Sequence, residues 1–233
     1  MSDSHVGETR AAVPAWLVGI WRRDNIELSG APDFPVGPFE TASVVWFQGR
    51  TRYADLRLPL GPVAPFSEEE AFGGRQHWAD PRLRFGHELD RSGRLAEDEG
   101  DLELRGEVLV ETGTFIHAGR PCRYVERWRR MTALAPAVEV HELLGGDGRI
   151  DGLCLRIEAE RLLLRRCAGG VCARHDRVGS AVTIGALGDP GPPPGSGSGH
   201  EPAWRCIEAI DASRAGTDPA SPRLSNAAHK EPK

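Results

Sequence analysis

Four short runs hold the side chains that could do chemistry. In Tyr53-Ala54-Asp55-Leu56-Arg57-Leu58, an extended chain puts Tyr53, Asp55 and Arg57 on one side and Ala54, Leu56 and Leu58 on the other. Between Cys122 and Arg130, Cys122, Tyr124, Glu126 and Trp128 share a side, opposite Arg123, Val125 and Arg127. In Val44-Val45-Trp46-Phe47-Gln48, Trp46 and Gln48 share a side. In Leu83-Arg84-Phe85-Gly86-His87-Glu88-Leu89, His87 falls on the face of Phe85. Aromatic rings mixed with ionisable groups on one face of a strand suit a pocket with apolar walls and a few polar anchors. The chemistry they predict is proton transfer. Asp55 or Glu126 would be the base, His87 the acid or relay, and Arg57 the holder of an anionic group or oxyanion. Trp46 and Trp128 would form the walls, with Gln48, Tyr53 and Tyr124 as further substrate contacts. The plainer alternative is that the rings simply pack and Glu126 pairs with an arginine of a neighbouring strand.

Other chemistries find less support. There is no HExxH or comparable metal spacing, and Cys172-Ala173-Arg174-His175-Asp176 reads as an irregular polar loop. The GxSxG nucleophile motif is absent. Gly73-Gly74, Gly145-Gly146 and Glu111-Thr112-Gly113 read as turns rather than phosphate loops. The five cysteines are an odd number with no CxxC pair, which argues for reduced thiols over a disulfide framework or a zinc site. No metal or other cofactor is predicted. Haem is the one exception left open, with His87 or His141 as a single axial ligand.

The elements that must position these residues are strands. Period-two alternation marks Trp16 to Leu28, Thr41 to Phe47, Arg52 to Leu58, Arg82 to Leu89, Leu102 to Glu111, Cys122 to Met131, Ala137 to Leu144, Leu153 to Ile157, Arg161 to Cys167 and Ala181 to Ala186. Gln48-Gly49-Arg50 is a compact hairpin turn. One short helix is predicted at Ser67 to Phe72, and Arg75-Gln76-His77-Trp78 is expected to be a loop over a barrel mouth. Successive strands with hairpin-length links predict an all-β, antiparallel up-and-down barrel of about 8–10 strands, because closure removes exposed edges. A β-sandwich is the runner-up. The chain divides into a flexible arm at 1–12, a barrel domain at 13–187, a Gly/Pro-rich linker at 188–202, a possible extra strand at 203–211 and a disordered tail at 212–233.

Composition sets the outer bounds. The 233 residues carry 29 Lys plus Arg against 34 Asp plus Glu, a formal net charge of -5, so a phosphate backbone is a poor partner. No apolar run approaches the roughly 20 residues needed to span a bilayer, and the first residues lack an export pattern, so a cytoplasmic protein without membrane contact is predicted.

Gly19-x-Trp21 at the start of the first strand resembles the Gly-x-Trp motif of lipocalins. The set Trp21-Arg22-Arg23, Val45-Trp46-Phe47-Gln48, Tyr53 to Pro59 and Tyr124-x-Glu126-x-Trp128-x-Arg130 is similar to uncharacterised bacterial lipocalin-like proteins. The likeness runs from Trp16 to Met131. It implies a calycin-type barrel around a small organic molecule, with Trp21 plugging the base under an arginine, either Arg127 or Arg130. It transfers no catalytic residue. The function expected is therefore a small-molecule-binding barrel acting as a cofactor-independent isomerase, cyclase or lyase. The alternatives are a non-catalytic carrier or sensor of a hydrophobic ligand or haem, and an interaction protein with a solid, fully paired core.

Overall fold

The structure is a computed structural model that describes residues 12–61, 69–93, 97–168, 170–179, 183–194 and 204–212. Eight strands follow one another around a closed antiparallel barrel: β1 (Gly19–Ser29), β2 (Ala42–Gln48), β3 (Arg52–Pro59), β4 (Glu70–Ala79), β5 (Arg82–Asp90), β6 (Glu97–Arg105), β7 (Val108–His117) and β8 (Arg120–Arg130), which pairs back to β1. The remaining strands are β9 (Val138–Leu144), β10 (Ile150–Ile157), β11 (Glu160–Cys167), β12 (Gly170–Arg177), β13 (Thr183–Leu187) and β14 (Trp204–Ile210). They form a second, six-stranded sheet in the order β13-β12-β11-β10-β9-β14. The all-β barrel is thus the fold. Within residues 13–187, however, only the first eight strands close it, and the later ones make a separate layer joined at its edge by Trp204–Ile210.

That second layer explains an inverted pattern in β3. Its apolar side, Ala54 and Leu56, is buried although it faces away from the barrel interior. The second sheet covers it: Gly185 of β13 lies against Leu56 and Leu58, and Leu164 of β11 lies against Gly73 of β4. Phe47 of β2 meets His175 of β12 edge-on, with ring centroids 5.2 Å apart. The sheet itself carries near-continuous apolar runs, Leu153-Cys154-Leu155 and Leu162-Leu163-Leu164, all buried, as expected for strands covered on both faces. On its far side, Arg165 and Arg174 donate to the carbonyls of Pro190 and Gly191, so this part of the expected linker packs on the sheet.

Two polar devices tie the layers together. Arg52 Nε donates to Glu142 Oε1 at 2.6 Å, and Arg205 donates to the other oxygen at 2.9 Å. The Glu208 carboxylate of β14 accepts from the backbone N–H groups of Arg50 and Thr51 at 2.6 and 3.0 Å, which caps the β2–β3 hairpin.

Several expectations need correction. Glu70 to Phe72 is extended chain at the start of β4, not helix, while Ser67 and Glu68 lie outside the described residues. Gly73-Gly74 and Arg75 to Trp78 belong to β4 rather than to a turn and a loop. A Cβ on Gly74 would sit 2.2 Å from the Gly86 carbonyl, and the ladder shifts register between Gly73 and Gly74. Glycine here permits a bulge and a close approach, not a chain reversal. Leu102 to Glu111 is two strands, β6 and β7, with the turn at Gly106, and Glu111-Thr112-Gly113 is strand. Val171 to Asp176, expected to be an irregular loop, is β12. Cys167 and Cys172 form a disulfide between β11 and β12, while Cys122, Cys154 and Cys206 are free thiols. Residues 1–11, 195–203 and 213–233, which hold most of the expected arm, part of the linker and nearly all of the tail, lie outside the described residues. No described helix is long and apolar enough to cross a membrane.

Candidate functional site

One end of the barrel is closed by aromatic packing. Trp21 is fully buried, and its indole N–H donates to the Leu17 carbonyl at 2.8 Å. The Arg130 guanidinium lies 4.1 Å over the Trp21 ring and donates to the carbonyls of Val18 and Trp16. Of the two arginines left open by the sequence, Arg130 is the one that takes this place. Burial pulls its pKa down to about 10. Trp46 stacks beyond Trp21 at 6.4 Å and meets Trp128 and Phe85 edge-on. These rings make a floor, and above it the barrel is hollow.

The cavity has a volume of about 610 Å³. Seven of the nine residues expected in a site line it: Trp46, Tyr53, Asp55, Arg57, Tyr124, Glu126 and Trp128. The other two do not reach its surface. Gln48 lies beside the floor, where its side-chain oxygen accepts the Trp46 indole N–H at 3.0 Å and its amide donates to the Gly49 carbonyl. His87 points inward but sits behind Asp98. Its Nδ1 is 2.8 Å from Asp90, its Nε2 is 3.3 Å from Asp98, and its ring stacks on Phe72 at 4.4 Å. Burial alone would lower the pKa of His87, but hydrogen bonds to Asp98 and Asp90 outweigh it and leave the pKa raised. The same contact with His87 holds Asp98 below the usual carboxylate range. Both imidazole nitrogens therefore face carboxylates, and His141 lies on β9 outside the barrel. Neither of these two histidines is presented to the cavity as an axial ligand; His117 does line it, with its Nε2 2.9 Å from Asp33.

The charged groups fall into two ion-paired clusters. Arg23 of β1 bonds Glu126 at 2.5 Å and Glu40 at 2.8 and 3.0 Å. Arg57 bonds Asp55 at 3.0 Å and lies 3.3 Å from Glu70. The alternative that Glu126 pairs with an arginine of an adjoining strand is therefore realised, yet the barrel is not filled. Burial raises the pKa of Asp55 to about 6, against the opposing pull of Arg57. Glu111 stands apart from both arginines. Burial, reinforced by the nearby Glu126 carboxylate, lifts its pKa to about 8. Its carboxyl accepts a hydrogen bond from the Tyr124 hydroxyl at 3.0 Å.

Sequence reasoning missed Arg23, Glu40, Glu70, Asp98 and Glu111. Arg23 was within reach, because it shares the parity of Trp21. Past it, a bulge between Arg23 and Asn25 turns Ile26 and Leu28 inward in place of the odd-numbered residues. Glu111 was hidden by reading Glu111-Thr112-Gly113 as a turn. Gly113 is glycine for another reason: it pairs with Tyr124 across the ladder, and a Cβ there would meet the Tyr124 ring at 2.4 Å. Gly113→Ala is expected to push Tyr124 off Glu111 and to destabilise the protein by about 1–3 kcal/mol, read as a lower denaturation midpoint.

Fold and site together define a class: a closed antiparallel barrel with an aromatic floor and a charged cavity, backed on one side by a second sheet. No protein-family model matches the chain, and neither a curated protein nor a solved structure matches it.

Proposed function

We propose that this is a lipocalin-like barrel that encloses a small, partly apolar organic molecule and moves protons on it, in an isomerisation, cyclisation or elimination. The lipocalin-like assignment rests on Gly19-Ile20-Trp21 at the start of β1, with Arg130 stacked over the indole. The catalytic reading rests on one observation: Asp55 and Glu111 line the same cavity with pKa values moved apart, to about 6 and about 8. Near neutral pH the first is mostly a carboxylate and the second mostly a carboxylic acid, which is the state each needs as base and acid. Asp55 takes a proton from the substrate, and Glu111 gives one to the group that gains electron density. Arg57 orients Asp55, Arg23 holds Glu126, and Tyr124 orients Glu111. His87 acts through Asp98 as a positioning residue, which moves the acid role expected of it to Glu111. Trp46, Trp128 and Tyr53 form the walls.

The test begins with mass spectrometry of whatever molecule the purified protein retains, followed by incubation of that molecule with fresh protein in D₂O. Wild type is expected to incorporate deuterium or convert the molecule, with a rate that rises through pH 6 and falls above pH 8. Asp55→Asn and Glu111→Gln should each slow the conversion by about 10²–10⁴-fold. Retention of the molecule with no conversion by wild type would overturn the catalytic reading and leave a carrier.

A further inference from the structure

We propose that the cavity takes a monovalent organic cation, an ammonium group on an aromatic body that carries an oxygen acceptor about 7 Å from the charge. This rests on the binding part of the reading above and names the ligand class. With a cation bound, Glu111 serves as its counter-ion and not as the acid, so the proton-release measurement also separates these two roles. The sign of the charge follows from the pairing. Arg23 and Arg57, the arginines that line the cavity, are already engaged by Glu126, Glu40, Asp55 and Glu70. Glu111 is buried at the cavity wall with the Tyr124 hydroxyl as its hydrogen-bond partner and no basic side chain bonded to it among the described residues. An entering anion would have to displace a carboxylate from an arginine. An entering cation meets a carboxyl group that lacks one.

The second half of the ligand follows from two donors. The Tyr53 hydroxyl and the Trp128 indole N–H are buried without a partner among the described residues, on side chains only 1% and 2% exposed that line the cavity floor. An indole N–H can only donate, so it calls for an acceptor on the ligand. Trp128 lies two residues beyond Glu126 toward the closed end, and Glu126 pairs directly with Glu111. Two residues of strand separate charge from acceptor by about 7 Å, roughly the span of a phenyl ring with a two-carbon arm. Trp46, Phe72 and Phe85 supply apolar and cation–π surface between these ends.

The groups that act most strongly on Glu111 are Glu126 and Tyr124 from β8 and Arg57 and Asp55 from β3, and Glu97, Asp98 and Glu99 of the adjoining β6 line the same cavity. A cation placed among them favours ionised Glu111, so binding near pH 7 releases a proton. Tyramine is the probe, compared with 3-(4-hydroxyphenyl)propionate and 2-phenylethylamine. Binding is followed by tryptophan fluorescence and by calorimetry at pH 7 in two buffers of different ionisation enthalpy. Tyramine is expected to bind at least about tenfold tighter than the propionate and a few-fold tighter than phenylethylamine, releasing up to about one proton. Glu111→Gln should abolish the proton release. Trp128→Phe, which keeps the wall and loses the donor, should remove the preference for tyramine over phenylethylamine. Equal or tighter binding of the propionate, or tyramine binding without proton release, overturns the proposal. Uptake of neutral N-phenyl-1-naphthylamine with no binding of the three probes at millimolar concentration overturns the cation but leaves the pocket, and failure of that neutral probe as well removes both.

Discussion

Glu111→Gln is expected to gain stability over wild type as pH rises, with the difference growing by about 3 kcal/mol between pH 6 and pH 9. The Glu111 carboxyl has a folded-state pKa of about 8 against an ordinary value of 4.5. A carboxyl raised in this way favours the folded state most below its unfolded pKa, and it withdraws that support as pH climbs through the folded one. Above pH 8 the native barrel must hold a buried carboxylate beside Glu126 or unfold to hydrate it. Glutamine keeps the shape, still accepts the Tyr124 hydroxyl, and never ionises. Chemical denaturation of both proteins at pH 6 and pH 9 measures the effect. Parallel stability curves for the two proteins across that range would show that Glu111 titrates as an ordinary surface acid.

Removing the carboxylate that joins the two layers should have the largest effect on folding. Glu142 is 1% exposed and bonds Arg52 of the barrel and Arg205 of β14. Glu142→Ala leaves the Arg52 guanidinium buried beneath the second sheet without its counter-ion, at a cost of about 3–5 kcal/mol. The double variant Arg52→Met with Glu142→Leu, which replaces the pair by apolar groups, is expected to recover most of that loss. A guanidinium midpoint for each protein, fitted with a common m-value, measures the coupling. A single-variant loss under about 1 kcal/mol would mean that solvent reaches Arg52 and that the pair adds little to the joining of the layers.

The cavity was legible in the sequence because strand parity is a local property. Asp55, Arg57, Glu126 and Trp128 had to share a face with Tyr53 or Tyr124 whatever the rest of the chain did, and they do line one cavity. The signal failed where parity was broken or where glycine was read as a turn. The bulge after Arg23 reverses the face of β1, and Gly73, Gly74 and Gly113 sit inside strands to admit a neighbouring backbone or ring. His87 was placed on the correct face, but the carboxylates that enclose it come from Asp90 at the end of its own strand and Asp98 on the next.

The sequence by itself determined most of the strands, their antiparallel order and an interior of mixed aromatic and charged side chains, because period-two alternation and turn residues act over a few neighbours; β4, β12 and the division between β6 and β7 escaped it. Only the tertiary structure decided that eight strands close while six form a second layer, that Arg130 rather than Arg127 covers Trp21, and that Glu111 lies buried near Glu126 without an arginine of its own. Those outcomes depend on which residues far apart in the chain exclude water together. Burial and charge pairing across strands are set by that shared exclusion, and no local pattern encodes it.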